Sequence, residues 1–368
     1  MGLDRRSFLA GAGCAGLLAL NSNAIKAGPA GPELFAAARR DERGSFSAAL
    51  FSLEDGDVRA IELPARGHDI ALRPGGSEWV ALARRPGRFG VAVPLDKRPP
   101  IWLSARLDRH FFGHGVFSAD GKLLYTSEND YQSAQGVIGV RDATDSYRQI
   151  GEFGAGGLEP HDVQLLSDGR TLVVANGGIR THPDSGNDEL NLPDMTPSLV
   201  YIDRLTGDIV EEQVLQHDLH QLSIRHLALA SRDIVVFGCQ YRGPEEDHPP
   251  LVGFHRRGER PVLVEAPAET QAALANYIGS VSTDSGGSIV AASAPKGGLI
   301  AYWDIVSRRY LGCSELKDGC GVAPMRHQAS FLLTSGEGWL VEADILDLPN
   351  AMPRQSPYEW DNHAILVG

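Results

Sequence analysis

Helical periodicity is missing from this sequence. Beyond the N-terminus, no stretch of its 368 residues repeats apolar side chains at the 3.6-residue spacing of an amphipathic helix. Catalytic signatures are missing too. There is no Gly-x-Ser-x-Gly nucleophile turn, no Gly-Lys-Ser/Thr loop to cradle a phosphate and no Cys-x-x-Cys-His haem attachment. Covalent c-type haem and nucleotide hydrolysis are set aside on that ground. Positive charge is short: 34 Lys and Arg stand against 47 Asp and Glu, a net charge of −13. Such an acidic chain is a poor partner for nucleic acid or an anionic membrane. Cysteine is scarce, at 4.

What the chain does have is turns and short strands. It carries 42 Gly and 22 Pro. Many short β-branched runs end in Gly, Asp or Asn, which predicts an all-β fold. Five histidines recur at the head of such runs: His68, His114, His161, His226 and His363. The first three are 46 and 47 residues apart, the next step is 65, and the last is 137, close to three periods. A repeat of this length with four short strands per unit is the mark of a β-propeller blade.

From His114 the template runs Gly115–Ala119, an Asp120-Gly121 turn, Lys122–Ser127, Gly136–Arg141 and Tyr147–Phe153. Units headed by His68, His161 and His226 follow the same plan. A fifth unit has Gly279 at the histidine position. A sixth, compressed unit has Cys320 there, with a weak last strand near Tyr358–Trp360. The seventh is split between the termini: His363–Val367 joins Leu34–Ala38, Ser45–Leu53 and Val58–Leu63. The prediction is therefore a single seven-bladed β-propeller over residues 28–368, closed by pairing the C-terminal strand with N-terminal strands so that no sheet edge is left open. The long step after His161 is an insertion from Thr181 to Ser198, including His182, Asn187 and Glu189. It falls in a loop between second and third strands and is expected to overhang the histidine end of the channel.

Residues 1–27 read as an export signal. Asp4-Arg5-Arg6-Ser7-Phe8-Leu9 precedes a small-residue apolar run from Ala10 to Leu20, which resembles a twin-arginine (Tat) signal. Cleavage after Ala24 or Ala27 would give a periplasmic chain with no stable membrane span, because the run is shorter than the roughly 20 residues a span needs. Lipidation at Cys14 is the alternative. Removing this segment takes the net charge to −15. In an oxidising periplasm, Cys313 and Cys320 are a candidate disulfide, whereas Cys239 lies in an apolar run and is expected to be a buried thiol.

Five imidazoles at one channel mouth suit a transition metal such as Fe, Cu or Zn. Asp69, Glu159, Asp162 and Asn362 adjoin them and could orient the rings. Arg66 and Arg225 would favour an anionic ligand. Glu128, Arg180 and Tyr241 end strands or begin loops that should line the same mouth. His110 and His217 are placed in or after outer strands, and His255 in a surface turn. Two other readings stay open: a ring of purely structural hydrogen bonds, or acid–base catalysis without metal. The mouth is also expected to be wide, so that opposite blades do not share an ion.

The export signal, the Gly67-His68-Asp69 and Gly113-His114-Gly115 openings, Leu158-Glu159-Pro160-His161-Asp162 and the closing Trp360-Asp361-Asn362-His363 resemble a family of uncharacterised periplasmic bacterial proteins. That family carries a domain of unknown function with a YVTN/WD-like propeller. Its genes often neighbour those of imelysin-type, iron-regulated proteins and di-haem oxidoreductase-like proteins. The resemblance implies a role in iron or copper acquisition with such partners. It supplies no catalytic residues. Lactonase-like or oxidoreductase-like enzymes and interaction scaffolds on the same fold are the alternatives.

Overall fold

A continuous apolar run in a short strand means both faces are covered, and this chain has many. In Glu78–Ala83 and Thr171–Asn176 every residue is buried. The outermost strand Ile209–Val214 instead alternates between half-buried and exposed positions. That contrast is what radially packed blades require. Inner and middle strands are sandwiched between neighbouring blades, and the last strand of each sheet meets solvent.

The computed structural model describes residues 31–186, 188–347 and 352–368. The export-signal reading over residues 1–27, Cys14 and Asn187 lie outside the described residues. Among the described residues, twenty-eight strands form seven four-stranded antiparallel sheets. Blade one is β4 (Gly67–Leu72), β5 (Glu78–Ala83), β6 (Phe89–Pro94) and β7 (Ile101–Ser104). Blade two is β8 (Arg109–Phe117), β9 (Leu123–Asp130), β10 (Gln135–Asp142) and β11 (Arg148–Gly154). Blade three is β12 (Pro160–Leu165), β13 (Thr171–Asn176), β14 (Ser198–Asp203) and β15 (Ile209–Val214). Blade four is β16 (Leu222–Ala230), β17 (Ile234–Tyr241), β18 (Val252–His255) and β19 (Val262–Val264). Blade five is β20 (Ser280–Thr283), β21 (Ile289–Ala294), β22 (Leu299–Asp304) and β23 (Tyr310–Glu315). Blade six is β24 (Gly319–Pro324), β25 (Ser330–Ser335), β26 (Trp339–Asp344) and β27 (Met352–Gln355).

The seventh sheet closes the ring as predicted. β28 (Tyr358–Leu366) pairs with β1 (Phe35–Asp41), followed by β2 (Phe46–Ser52) and β3 (Gly56–Leu63). The propeller is one unit, Glu33–Gly368. Its hydrophobic core lies between blades: Val80, Leu82 and Leu103 of blade one pack with Phe111, Phe117 and Tyr147 of blade two.

Three readings of the sequence are corrected. Tyr358–Trp360 opens the seventh blade's inner strand, and β27 is the sixth blade's outer strand instead. Pro353 hid it, yet proline is tolerated on an edge strand because no ladder donor is lost there. His110 belongs to the inner strand β8 and is buried, bonded to Asn129. His255 is no surface residue: it ends β18 under Tyr201, whose hydroxyl meets its Nδ1 at 2.5 Å.

Cys313 and Cys320 are both free thiols. Cys313 sits on the outer strand of blade five and Cys320 on the inner strand of blade six, so the blade width separates them. Cys320 points its thiol at the carbonyls of Trp360 and Asp361, at 3.2 and 3.3 Å. Burial raises its pKa to about 12, which leaves it inert. Cys239 is the buried thiol expected from its apolar run.

Candidate metal centre

One local device aims every histidine at the axis. In β4, β8, β12, β16 and β28, the pairing with the next strand slips at or beside the histidine. Such a β-bulge inserts residues into one strand, bends it and re-aims a side chain. Strand β24 has the same slip, at Cys320. Strand β20 has none, and blade five offers no histidine. The bulges crowd the axis. Gly113 has a φ of +110°, and a Cβ there would lie 2.4 Å from the His68 ring, so the position demands glycine.

The five rings meet. Centroids are 4.9 Å apart for His68 and His114, 4.7 Å for His68 and His363, and 4.6 Å for His114 and His363. His161 and His226 lie 4.8 Å apart, and His226 and His363 5.0 Å. None of the five is more than 8% exposed. The expectation of a wide, open mouth is therefore corrected: His226 of blade four and His363 of blade seven meet from opposite sides of the ring, and the cluster is a buried plug. Among the described residues, two groups have ligand atoms all within 4.8 Å of one another, His68–His114–His363 and His114–His161–His226.

Partners of the ring nitrogens separate these two groups. His114 Nδ1 lies 3.0 Å from Asp69 Oδ2 and 3.6 Å from Asp162 Oδ1. His68 Nδ1 faces Asp361 Oδ1 at 3.4 Å, and His363 Nδ1 faces the Ser280 hydroxyl at 3.3 Å. A carboxylate beside Nδ1 assigns the proton to that nitrogen and leaves the Nε2 lone pair for a ligand. The Nε2 atoms of His114 and His363 are buried without a partner. His161 differs. Arg225 Nη1 lies 3.5 Å from its Nδ1, and a guanidinium can only donate. That contact puts the His161 proton on Nε2, the wrong tautomer for binding an ion there. The first group is thus oriented as a three-imidazole site. Three imidazoles on one ion, at about 2.0–2.1 Å each, stand about 3.3 Å from one another. One ring nitrogen of each lies within 4.8 Å of the others, so the three rings would have to draw together to hold an ion.

Electrostatics agree with neutral rings around one charged pair. Burial, then like charge on neighbouring rings, holds His68, His161 and His226 well below the usual histidine range. Burial pulls His363 down to about 4. His114 goes the other way: burial lowers it, but Asp162 and Asp69 more than offset that. Burial pushes Asp69 up, and the adjacent His114 reverses the direction.

Loops from the histidine end roof the plug with ion pairs. Arg66 and Arg84 reach Asp361, the former by a close Nε–Oδ2 contact. Glu159 Oε1 takes Arg225 at 2.7 Å and Arg85 at 2.8 Å. The insertion does lie over this end. Its Glu189 pairs with Arg242 at 2.9 Å, and its Leu192 carbonyl accepts from Gln221. Below the rings, a cavity of about 360 Å³ runs along the inner strands away from the roof. His114, His226 and His363 stand at its closed end, and half-buried Leu72, Thr283 and Leu366 mark the other.

Of the residues singled out from sequence, Arg66, Asp69, Glu159, Asp162 and Arg225 are brought to the histidine cluster, and Asn362 sits in the β28 bulge beside His363. Three are not. Glu128 lies inside blade two, salt-bridged to Arg141 at 2.9 Å, because β9 runs on to Asp130 and carries it into the sheet. Arg180 is exposed, and Tyr241 bonds Asp247 in a surface loop. Asp361, Ser280, Arg84 and Arg85 were missed. Asp361 did leave a signal: an acid two residues before the histidine, the same offset as Glu159 before His161.

The fold is similar to that of a solved chain of Kuenenia stuttgartiensis hydrazine synthase, with a TM-score of 0.58 and 13% identity. The alignment covers 92% of this chain and 99% of that one; at such identity it speaks for the fold alone. No curated protein matches the sequence. A family model matches residues 61–367, from the end of β3 through the closing His363 strand, and the chain belongs to that family, described as a protein of unknown function (DUF1513).

Proposed function

We propose that this protein holds one transition-metal ion through His68, His114 and His363, at the centre of the propeller. The observation that carries the reading is that three buried imidazoles, His68, His114 and His363, bring ligand atoms within 4.8 Å of one another while each Nδ1 faces an oxygen. Of these rings, His114 and His363 have an Nε2 buried without a partner. An unpaired buried polar atom costs about 1–3 kcal/mol, so a purely structural ring would be an expensive way to fill an axis. Neutral imidazole is a ligand for Fe, Cu, Ni and Zn. Asp69, Asp361 and Ser280 hold the three rings by their Nδ1 atoms, the arrangement that orients metal-binding histidines elsewhere. Binding at His114 displaces a proton, so affinity rises with pH.

The biological setting belongs to the same proposal. The twin-arginine segment supports export to the periplasm after folding. The resemblance to proteins encoded beside imelysin-type and di-haem oxidoreductase-like proteins supports a place in iron or copper acquisition. The test is elemental analysis of protein purified from an export-competent periplasm, beside a variant lacking His68, His114 and His363. Near-stoichiometric Fe, Cu or Zn in the first and none in the second is the expected result. No metal in either, even after titration with all three, refutes the reading.

A further inference from the structure

The two sides of the histidine plug carry opposite charge. In the ion pairs that roof it, four guanidiniums, those of Arg66, Arg84, Arg85 and Arg225, share two carboxylates, Asp361 and Glu159. That surplus of positive charge repels a metal cation. On the cavity side the order is reversed: Asp69 and Asp162 flank the single ring of His114 at the closed end. Asp69 is only half-buried, so its carboxylate meets the space of the cavity. A cation is turned away from the roof and drawn in from below.

The walls suit an ion that still carries its water. More of the wall they expose is polar than apolar, and Gln164, Ser280 and Ser282 add oxygens that accept from coordinated water. A volume of about 360 Å³ has room for roughly a dozen waters at about 30 Å³ each, enough for an ion with its first shell. Three rings at the closed end also carry buried nitrogens without a hydrogen-bond partner: Nε2 of His114 and His363, and both nitrogens of His226. We infer that the axial cavity loads the metal. A hydrated divalent cation enters at the end marked by Leu72, Thr283 and Leu366 and docks through its waters on the carboxylates of Asp69 and Asp162. It then passes to His68, His114 and His363, and each imidazole nitrogen that binds releases one water to the cavity. This inference rests on the metal reading above and adds an outer docking site and a direction of entry, opposite the insertion.

The test follows the rate at which the metal-free full chain takes up Co²⁺ at low salt, read from the visible band that imidazole ligation brings. Ser282 lies two residues along β20 from Ser280 and so on the same face of the strand. Ser282→Lys therefore puts one positive charge in the channel without touching a histidine or its partner. Thr283→Lys, at the open end, is the second such variant. Glu189→Gln makes the same change of one charge at the roof, where Glu189 pairs with Arg242. In a Lys variant that melts as a folded protein and reaches full cobalt content, uptake should slow about tenfold or more, and added salt should relieve the slowing. Uptake by Glu189→Gln should match the natural chain. Equal rates in a folded Lys variant, or slowing by Glu189→Gln instead, overturns the route. Slowing that salt does not relieve overturns the docking on carboxylates. Failure of the natural chain to take up cobalt overturns the metal reading itself, and the inference with it.

Discussion

Replacing Asp69 by Asn is the sharpest perturbation of the proposed site, because it changes charge and almost nothing else. The Asp69 carboxylate meets His114 Nδ1 at 3.0 Å and is 15% exposed, so the contact is poorly screened by water. An amide oxygen at the same place still accepts the Nδ1 proton but no longer raises the basicity of Nε2. Loss of such a partner typically lowers metal affinity 10–100-fold, or about 1.4–2.7 kcal/mol. Asp162 stands 3.6 Å away on the other side of the ring and keeps part of the field. The single variant should therefore sit near the tenfold end, and Asp69→Asn with Asp162→Asn near or beyond the hundredfold end. Asp162→Asn alone carries an extra cost in fold stability, since Asp162 Oδ2 also accepts from the Leu227 backbone N–H at 2.8 Å. The assay is competition for Zn²⁺ against a chromophoric chelator at pH 7.5, with thermal melts of the metal-free proteins alongside. Unchanged affinity in a folded double variant would refute the carboxylate–histidine reasoning.

Three further outcomes follow from the same geometry. His68→Ala and His363→Ala should each abolish tight metal binding, while His161→Ala, with its Nδ1 committed to Arg225, should change it less than tenfold; equal losses in a titration of all three would show that the second triad is the site. Metal-free protein should lose stability in acid: His68, His161, His226 and His363 are depressed when folded, so their stability is complete above the unfolded value of about 6.5 and drains as pH falls toward about 4 and below. His114, raised when folded, contributes below 6.5 instead, so each of the other four costs up to about 1.4 kcal/mol per pH unit, and urea melts at pH 7.5 and 5.5 should differ by several kcal/mol. Because both nitrogens of His226 lack partners, His226→Leu should raise the melting temperature of the metal-free protein by removing an unsatisfied group worth about 1–3 kcal/mol, and a fall in calorimetry would mean the ring is satisfied in solution.

The blades were legible because each obeys local rules. Gly121 and Gly169 take positive φ in the turns that Asp-Gly pairs announce, and the spacing of His68, His114 and His161 carries the repeat directly. Closure by the last strand was legible as well, because an incomplete unit at each end leaves edges that must pair. Depth was not legible. Whether a histidine at a strand start lines a mouth or fills the axis depends on the bulges, and a bulge is a matter of pairing between strands. Partners across the ring closure were equally hidden: Asp361 meets His68 from 293 residues away. Glu128 misled because the length of β9 decides whether the residue ends a strand or lies within it.

Blades five and six give the structural alternative its hardest case. They close the same ring with Ser280 and Cys320 near the axis, and both side chains are satisfied, Ser280 by His363 and Cys320 by backbone carbonyls. The fold thus tolerates other residues at the histidine position. Nor does the bulge require an imidazole, since β24 makes it around a cysteine. Histidine in the remaining five blades is a choice beyond what the propeller needs, and it is made in five consecutive blades rather than at random. The result is lopsided. Imidazoles come from five blades, Ser280 and Cys320 stand in their place in the other two, and the cavity runs below the rings along the inner strands of all seven. A structural plug has no use for that asymmetry, whereas an ion that keeps a coordination position free does.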